Sequence, residues 1–110
     1  MIDVISYIET LTNAIVENVK PEKVILFGSH AYGTPNKNSD IDILVIVKDS
    51  PLPRNERTGE LYISMRKYYS NYSIDFVVYT EAEVQKWKTV RQAFITSVIK
   101  KGKLLYERQV

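Results

Sequence analysis

The sequence predicts an α/β (α+β) fold in which helices pack against one small mixed β-sheet. Two observations carry this prediction. Apolar residues spaced three and four apart alternate along the chain with short β-branched apolar runs, a pattern typical of helices interleaved with strands. The chain also has 110 residues, a length that suits one domain with a single modest core. We therefore predict one domain over residues 1–110, without repeats or linkers.

The first half of the chain predicts one helix followed by two strands. The helix covers residues 5–19, whose apolar positions form one stripe, and Pro21 lies just past its end. The strands are the short apolar runs at residues 24–27 and 41–47. Between them lies a loop rich in glycine, serine, asparagine and proline, which begins at Gly28 and has room for one helical turn.

The second half of the chain predicts two helices and two strands, which completes the order α-β-β-α-β-α-β. The helices cover residues 54–70 and 81–101, and the strands cover residues 74–79 and 104–106. Thr80 and Glu83 have the spacing of a capping box, which marks the start of the second of these helices.

The composition excludes several classes of protein. The chain has no cysteine, so it can form neither disulfides nor thiolate metal sites. Its apolar runs are too short to span a membrane, and Asp3 and Glu9 interrupt any signal peptide, so we expect a cytoplasmic protein. The net charge of +2 is too small to predict nucleic-acid binding. The basic stretch 86–103 fits either a solvated helix face or a surface for phosphates.

The most informative stretch is Gly28-Ser29, followed after ten residues by Asp40-Ile41-Asp42. Because side chains alternate along a strand, Asp40 and Asp42 should share one face while Ile41 points to the other. Two ionised carboxylates so close together repel, and a magnesium ion would offset that repulsion. Gly28 allows a sharp turn whose amides, with the Ser29 hydroxyl, can bind phosphate. Ser29 can also cap a helical turn.

A third aspartate begins the predicted strand at residues 74–79. Asp75 stands in an otherwise apolar run, which disfavours a carboxylate unless it is solvated, paired or bound to metal. If this strand lies beside the second one, Asp75 joins Asp40 and Asp42. Asp40 and Asp42 could be solvated residues at a strand entry, but the spacing from Gly28-Ser29, together with Asp75, favours a metal site.

These residues resemble the signature of the polymerase-beta-like nucleotidyltransferase superfamily. The compact length is similar to its minimal members, including the MntA-type antitoxins that partner HEPN toxins. The resemblance implies the superfamily's fold, with Asp40, Asp42 and Asp75 as catalytic ligands of two Mg²⁺ ions. It further implies that Gly28 and Ser29 bind the β- and γ-phosphates of ATP and that Asp75 helps to activate the acceptor hydroxyl.

The resemblance also implies a function. AMP would pass from ATP to a hydroxyl, that of a tyrosine, on a cognate HEPN ribonuclease toxin, and this protein AMPylation would make the chain an antitoxin. We expect a hetero-oligomer with that toxin and no direct nucleic-acid ligand. His30 and Tyr32 stand where many relatives carry a basic residue, so triphosphate binding is expected to weaken unless Lys37, Arg54 or Arg57 substitutes. The alternative is a weak or inactive antitoxin that neutralises the toxin by binding alone.

Eight tyrosines are many for this length, and four of them cluster around the end of the predicted helix at residues 54–70, namely Tyr62, Tyr68, Tyr69 and Tyr72. We expect some of these four in the core. Any exposed remainder suits a protein interface, where tyrosine is enriched.

Overall fold

The computed structural model describes residues 3–33, 35, 39–70, 72–88, 90 and 93–109. Along this part of the chain, the elements are α1 (Val4–Val19), β1 (Lys23–Phe27), α2 (Ser29–Tyr32), β2 (Ile41–Val47), α3 (Arg54–Met65), a 3₁₀ turn (Arg66–Tyr68), β3 (Ile74–Thr80), α4 (Glu81–Trp87), α5 (Phe94–Lys101) and β4 (Lys103–Glu107). The predicted mixed sheet is confirmed. Its strands lie in the order β3-β2-β1-β4.

The sheet brings three strand termini to one end. β1 runs antiparallel to β2, with Phe27 opposite Asp42. β3 runs parallel to β2, with Asp42 opposite Asp75. The end of β1 and the starts of β2 and β3 therefore meet, and we call this place the aspartate end of the sheet. β3 and β4 form the two edges.

Both faces of the sheet are covered. On one face, Ile41, Ile43 and Val45 are buried with residues of α1 and α3, as the alternation predicted. On the other face, the alternate residues Leu44 and Ile46 are buried against Val84, Ile95 and Val98 of α4 and α5. Asp42 and Asp75 belong to this second face. Each is the second residue of its strand, and the residues that follow on the same face are apolar.

Capping contacts set the boundaries of α1 and the start of α4. The Asp3 carboxylate accepts a hydrogen bond of 2.9 Å from the Ser6 N–H, which fixes the start of α1. The helix ends at Val19, and the residue that follows, Lys20, has the left-handed conformation with φ of 54°. The capping box of α4 is confirmed, because Thr80 and Glu83 exchange side-chain-to-backbone hydrogen bonds.

Two predicted helices differ from the structure: one ends earlier, and the other is divided into two helices. The helix predicted to reach residue 70 ends at Met65 and continues only as the 3₁₀ turn. The single helix predicted over residues 81–101 is wrong, since α4 and α5 are separate. One straight helix of that length would measure about 31 Å and overrun the sheet. The Thr96 hydroxyl, 2.6 Å from the Val90 carbonyl oxygen, helps to hold the connection between them. No described helix has the length and apolarity that crossing a bilayer requires.

Candidate active site

The site is built on the turn that follows β1. Gly28 has a φ of +76°, which favours glycine, and its carbonyl accepts hydrogen bonds from the Ala31 and Tyr32 amides, 3.0 and 3.1 Å away. A Cβ atom at position 28 would collide with the Asp42 carboxylate. The turn and Asp42 are therefore in direct contact, and only glycine leaves room for that contact. Ser29 begins α2 immediately beside it.

Asp42 stands at the centre of the carboxylates. It is partly buried, whereas Asp40 and Asp75 are exposed. Burial, reinforced by the carboxylates of Asp75 and Asp40 and opposed by His30, raises the pKa of Asp42 to about 6. The register sets Asp75 opposite Asp42, and Asp40 lies two residues before Asp42. Their electrostatic coupling makes ionisation of Asp42 costly unless a cation is present.

The donor set fits Mg²⁺, which takes one or two carboxylates and completes its shell with water and substrate phosphates. As their side chains stand, no three carboxylate or imidazole groups in the described part of the chain converge on one complete metal site. Two of the aspartates nevertheless lie directly opposite each other in the register of β2 and β3. A metal role for Asp40, Asp42 and Asp75 stays a prediction, supported by this placement.

The positions that differ from many relatives have contacts of their own. His30 lies with Nε2 3.2 Å from the Ser39 carbonyl oxygen, so it links α2 to the residues before β2. Tyr32 is 45% exposed. His30 is therefore held against the backbone that precedes β2, whereas Tyr32 is open to solvent.

The three residues predicted as substitute cations have different surroundings. Lys37 lies outside the described residues. The Arg54 guanidinium lies 4.6 Å from the centre of the Tyr79 ring, in cation–π geometry. Arg57, the third of these candidates, is bound within the protein. Its side chain is only 9% exposed and pairs with Glu83 through two hydrogen bonds of 2.7 and 3.0 Å.

Arg57 also donates to the carbonyl oxygens of Leu52 and Val78. These contacts lie where β3 ends and α4 begins, and we call this place the arginine end of the sheet. Because its guanidinium is bound on several sides here, Arg57 is a structural residue. The sequence could not reveal this, since its partners come from three separate segments.

Tyr62 is a site neighbour that the sequence analysis missed. Its hydroxyl accepts a hydrogen bond of 2.9 Å from the Phe76 N–H. The same hydroxyl lies 3.3 Å from both the Ile74 carbonyl oxygen and Asp75 Oδ1. Burial raises the pKa of Tyr62, and Asp75 adds to the rise. The Tyr62 hydroxyl thus forms hydrogen bonds with backbone groups on the outer edge of β3 and with the third aspartate. Nothing in the spacing of the tyrosines indicates which one does so.

Comparison with known proteins identifies the family. A family model described as polymerase beta, nucleotidyltransferase, matches residues 9–110. The chain belongs to this family. This nucleotidyltransferase is 33% identical over 79 residues to a protein of Methanocaldococcus jannaschii named "Putative protein adenylyltransferase", and the match covers 72% of this chain and 73% of that one.

Solved structures show the same fold. A toxin–antitoxin structure with AMP-PNP is 25% identical with a TM-score of 0.56, over 92% of this chain and 74% of that chain. A mutant of the MntA–HpeT toxin–antitoxin complex is 26% identical with a TM-score of 0.57, over 91% of this chain and 72% of that chain. The nucleotidyltransferase fold predicted from the sequence is confirmed, and similar chains occur in toxin–antitoxin complexes.

Proposed function

We propose that this nucleotidyltransferase transfers AMP from ATP to a tyrosine hydroxyl on a HEPN-type ribonuclease toxin and thereby acts as its antitoxin. The single observation that carries the proposal is the contact of Asp42 with the Gly28 turn, in a register that sets Asp75 opposite Asp42. A phosphate-binding turn and a pair of carboxylates at one place suit a nucleoside triphosphate with its metals. The similar toxin–antitoxin structure with AMP-PNP supports the choice of ATP and of a toxin partner.

Each residue has a role in this proposal. Asp40, Asp42 and Asp75 would hold two Mg²⁺ ions, which when bound neutralise charge on the reacting phosphate. Gly28 and Ser29 would hold the β- and γ-phosphates. Asp75 accepts the proton of the acceptor hydroxyl as the new oxygen–phosphorus bond forms and pyrophosphate leaves with the electrons of the bond that breaks. Catalysis then consists mainly of positioning and electrostatic stabilisation.

A second candidate function is toxin neutralisation by contact alone. His30 and Tyr32 favour it, because neither of these positions beside the turn carries a permanent cation. The coupled aspartates weigh against it, since a binding surface has no need of a carboxylate pair that repels itself. In either case we infer a hetero-oligomer in the cytoplasm, where ATP and the RNA substrates of such a toxin are found.

The test is intact mass spectrometry of a HEPN toxin incubated with ATP, Mg²⁺ and this protein. We expect the toxin to gain whole AMP units. Asp42→Asn should lower the rate about a hundredfold or more, because the central carboxylate is lost. Asp49→Asn is the matched control, since Asp49 is an exposed aspartate just beyond the other end of β2 and should leave the rate unchanged.

The outcomes separate the two candidates. Mass gain with the wild type and with Asp49→Asn, but not with Asp42→Asn, supports the transferase. A stable complex without any mass gain, which Asp42→Asn still forms, favours neutralisation by contact. Neither mass gain nor a complex means that the HEPN toxin is the wrong acceptor.

A further inference from the structure

A groove lies next to Asp75, along the outer edge of β3. Six described residues line it, namely Tyr62, Tyr69, Ser70, Tyr72, Ser73 and Ile74, and its volume is about 320 Å³. We call it the tyrosine groove. It lies along the edge of the sheet, because β3 is an edge strand and α3 contributes Tyr62. Its volume lies at the lower end of the range for ligand sites and suits one side chain of a bound segment.

The groove and the phosphate-binding turn flank Asp75 from opposite sides. On the inner side, Asp75 lies opposite Asp42, and Asp42 touches the Gly28 turn. On the outer side, Asp75 Oδ1 lies 3.3 Å from the hydroxyl of Tyr62, a residue that lines the groove. A phosphoryl group that changes partners in line needs the acceptor and the leaving group on opposite sides. With the triphosphate at the turn, the acceptor has to approach from the outer side.

We propose that the tyrosine groove binds the segment of the partner protein that presents the acceptor hydroxyl to Asp75. This inference rests on the proposed function. The chemistry of the lining favours a protein segment over a nucleic-acid strand. None of the described residues that line the groove is charged, whereas binding to a phosphate backbone requires lysine or arginine. Tyrosine rings with hydroxyl groups at their rims are instead typical of protein interfaces.

The groove is also held in a defined shape. The Tyr69 hydroxyl donates a hydrogen bond of 2.9 Å to the Tyr62 carbonyl oxygen, and the Tyr72 N–H donates one of 3.2 Å to the Ser70 hydroxyl. The Tyr72 ring stacks on Tyr7 of α1, with ring centres 5.4 Å apart. Tyr69 remains 50% exposed, so it offers a free ring face to a partner. A preformed groove binds a segment with less ordering cost than a loop that must first fold.

The experiment uses the absence of cysteine from the sequence, because one introduced cysteine is then the only attachment point. Ser70→Cys places a thiol in the groove without touching any aspartate. Leu104→Cys is the matched control, since Leu104 is 51% exposed on the opposite edge strand. Each variant is labelled with a benzophenone maleimide, mixed with the HEPN toxin and irradiated. Binding of AMP-PNP with Mg²⁺ is measured separately by calorimetry.

We expect the label at position 70 to lower AMP transfer to the toxin about tenfold or more, because it displaces the acceptor, while nucleotide binding stays unchanged. The same label should cross-link to the toxin, and the label at position 104 should do neither. Each labelled variant is compared with its own unlabelled form, so that any effect of losing the Ser70 hydroxyl is measured separately from the effect of the label. If Ser70→Cys fails to fold, Ser73→Cys offers a second exposed attachment point in the groove.

Three results would overturn the proposal. The first is full transfer by the enzyme labelled at position 70. The second is a cross-link to the toxin that forms from position 104 and not from position 70. The third is a cross-link from position 70 only to a second copy of this chain. If even the wild type transfers no AMP, the proposed function fails, and the cross-linking pattern still decides whether the partner binds in the groove.

Discussion

The two ends of the sheet differ in their carboxylates, whose pKa values are shifted in opposite directions. At the aspartate end, burial and the charges of Asp75 and Asp40 raise the pKa of Asp42 to about 6. At the arginine end, hydrogen bonds from Arg57 lower the pKa of Glu83 to about 2. Asp42 thus faces like charges and has no ion-pair partner among the described residues, whereas both oxygens of Glu83 accept hydrogen bonds. The difference separates a place prepared for a ligand from a place that the chain completes by itself.

The arginine end is satisfied entirely by protein groups. Arg57 pairs with both oxygens of Glu83, and Glu83 Oε1 also accepts a hydrogen bond of 2.8 Å from the Thr80 N–H. One charge pair thereby joins α3, the end of β3 and the start of α4. The aspartate end differs, because the described ion pairs involve none of its carboxylates. A metal ion with a triphosphate is the missing partner in our proposal.

The largest effect on activity should come from changing the aspartate end by one methyl group. Gly28→Ala forces the left-handed turn on alanine and drives its Cβ into the Asp42 carboxylate. We expect AMP transfer to fall about a hundredfold or more, since a misplaced catalytic group is costly. Transfer rates measured with the toxin or with another acceptor check this.

Gly33→Ala is the matched control for that change. Gly33 has a similar φ of +80°, but a Cβ there would meet no atom within 4 Å. Gly33 has the ordinary left-handed conformation with ψ of 18°, so Gly33→Ala should cost about 1–2 kcal/mol of stability. Gly28, with ψ of −164°, lies in a region that is essentially restricted to glycine, so Gly28→Ala should cost more. Equal losses of activity would show that the collision with Asp42 is irrelevant and would break the comparison.

The largest effect on stability should come from the other end. Arg57→Met leaves Glu83 and two backbone carbonyls without their donor, so we expect the free energy of unfolding to fall by about 2–3 kcal/mol in urea titrations. Arg54→Met, three residues earlier on α3, removes only a cation–π contact and should cost less than about 1 kcal/mol. Transfer rates should stay near wild type in both. An Arg57→Met variant that is inactive but stable would contradict the division between the two ends.

The opposite pKa shifts predict opposite effects of pH on stability without metal. Glu83 has a lowered folded pKa, so its stabilisation is present above pH 4.5 and is lost as the pH falls towards about 2. Asp42 has a raised folded pKa, so stability falls as the pH rises from 3.8 to about 6. Glu83→Gln should therefore lose less stability than the wild type as the pH falls from 4.5 to about 2. Asp42→Asn should be more stable than the wild type at pH 7 and equal to it below pH 4.

The unfolding measurements belong in chelator, with Mg²⁺ and AMP-PNP added in a second series. These ligands should stabilise the wild type more than Asp42→Asn, since a ligand that binds only the folded state adds stability. Glu83→Gln should gain as much from them as the wild type does. Identical pH profiles for all three proteins would mean that neither carboxylate titrates as its surroundings indicate.

Much of the aspartate end could be predicted from sequence because its parts are local. Alternation along β2 sets Asp40 and Asp42 on one face, and glycine at position 28 indicates the turn. The position of Asp75 beside the other two aspartates depended on whether β3 pairs with β2, and the structure shows that it does. The capping box of α4 was equally local.

The arginine end and the tyrosine groove could not be predicted, since their contacts join distant segments. Arg57 on an amphipathic helix has the spacing of a surface residue, and its burial depends on Glu83, 26 residues later. Tyr62 resembles the other tyrosines until α3 packs against β3. The division of residues 81–101 into α4 and α5 was missed for a related reason. Apolar spacing cannot distinguish one helix from two that pack on the same face.

The smallest expected effect tests whether the two ends are independent. Gly59 lies within α3, between Arg57 at the arginine end and Tyr62 at the aspartate end, and a Cβ there would meet no atom within 4 Å. Gly59→Ala should therefore raise the free energy of unfolding by about 0.5–1 kcal/mol through helix propensity alone. Combined with Arg57→Met, it should restore that amount additively, without any change in transfer rate. Non-additive stability, or a transfer rate that changes with α3 stiffness, would mean that the helix couples the saturated end to the catalytic one.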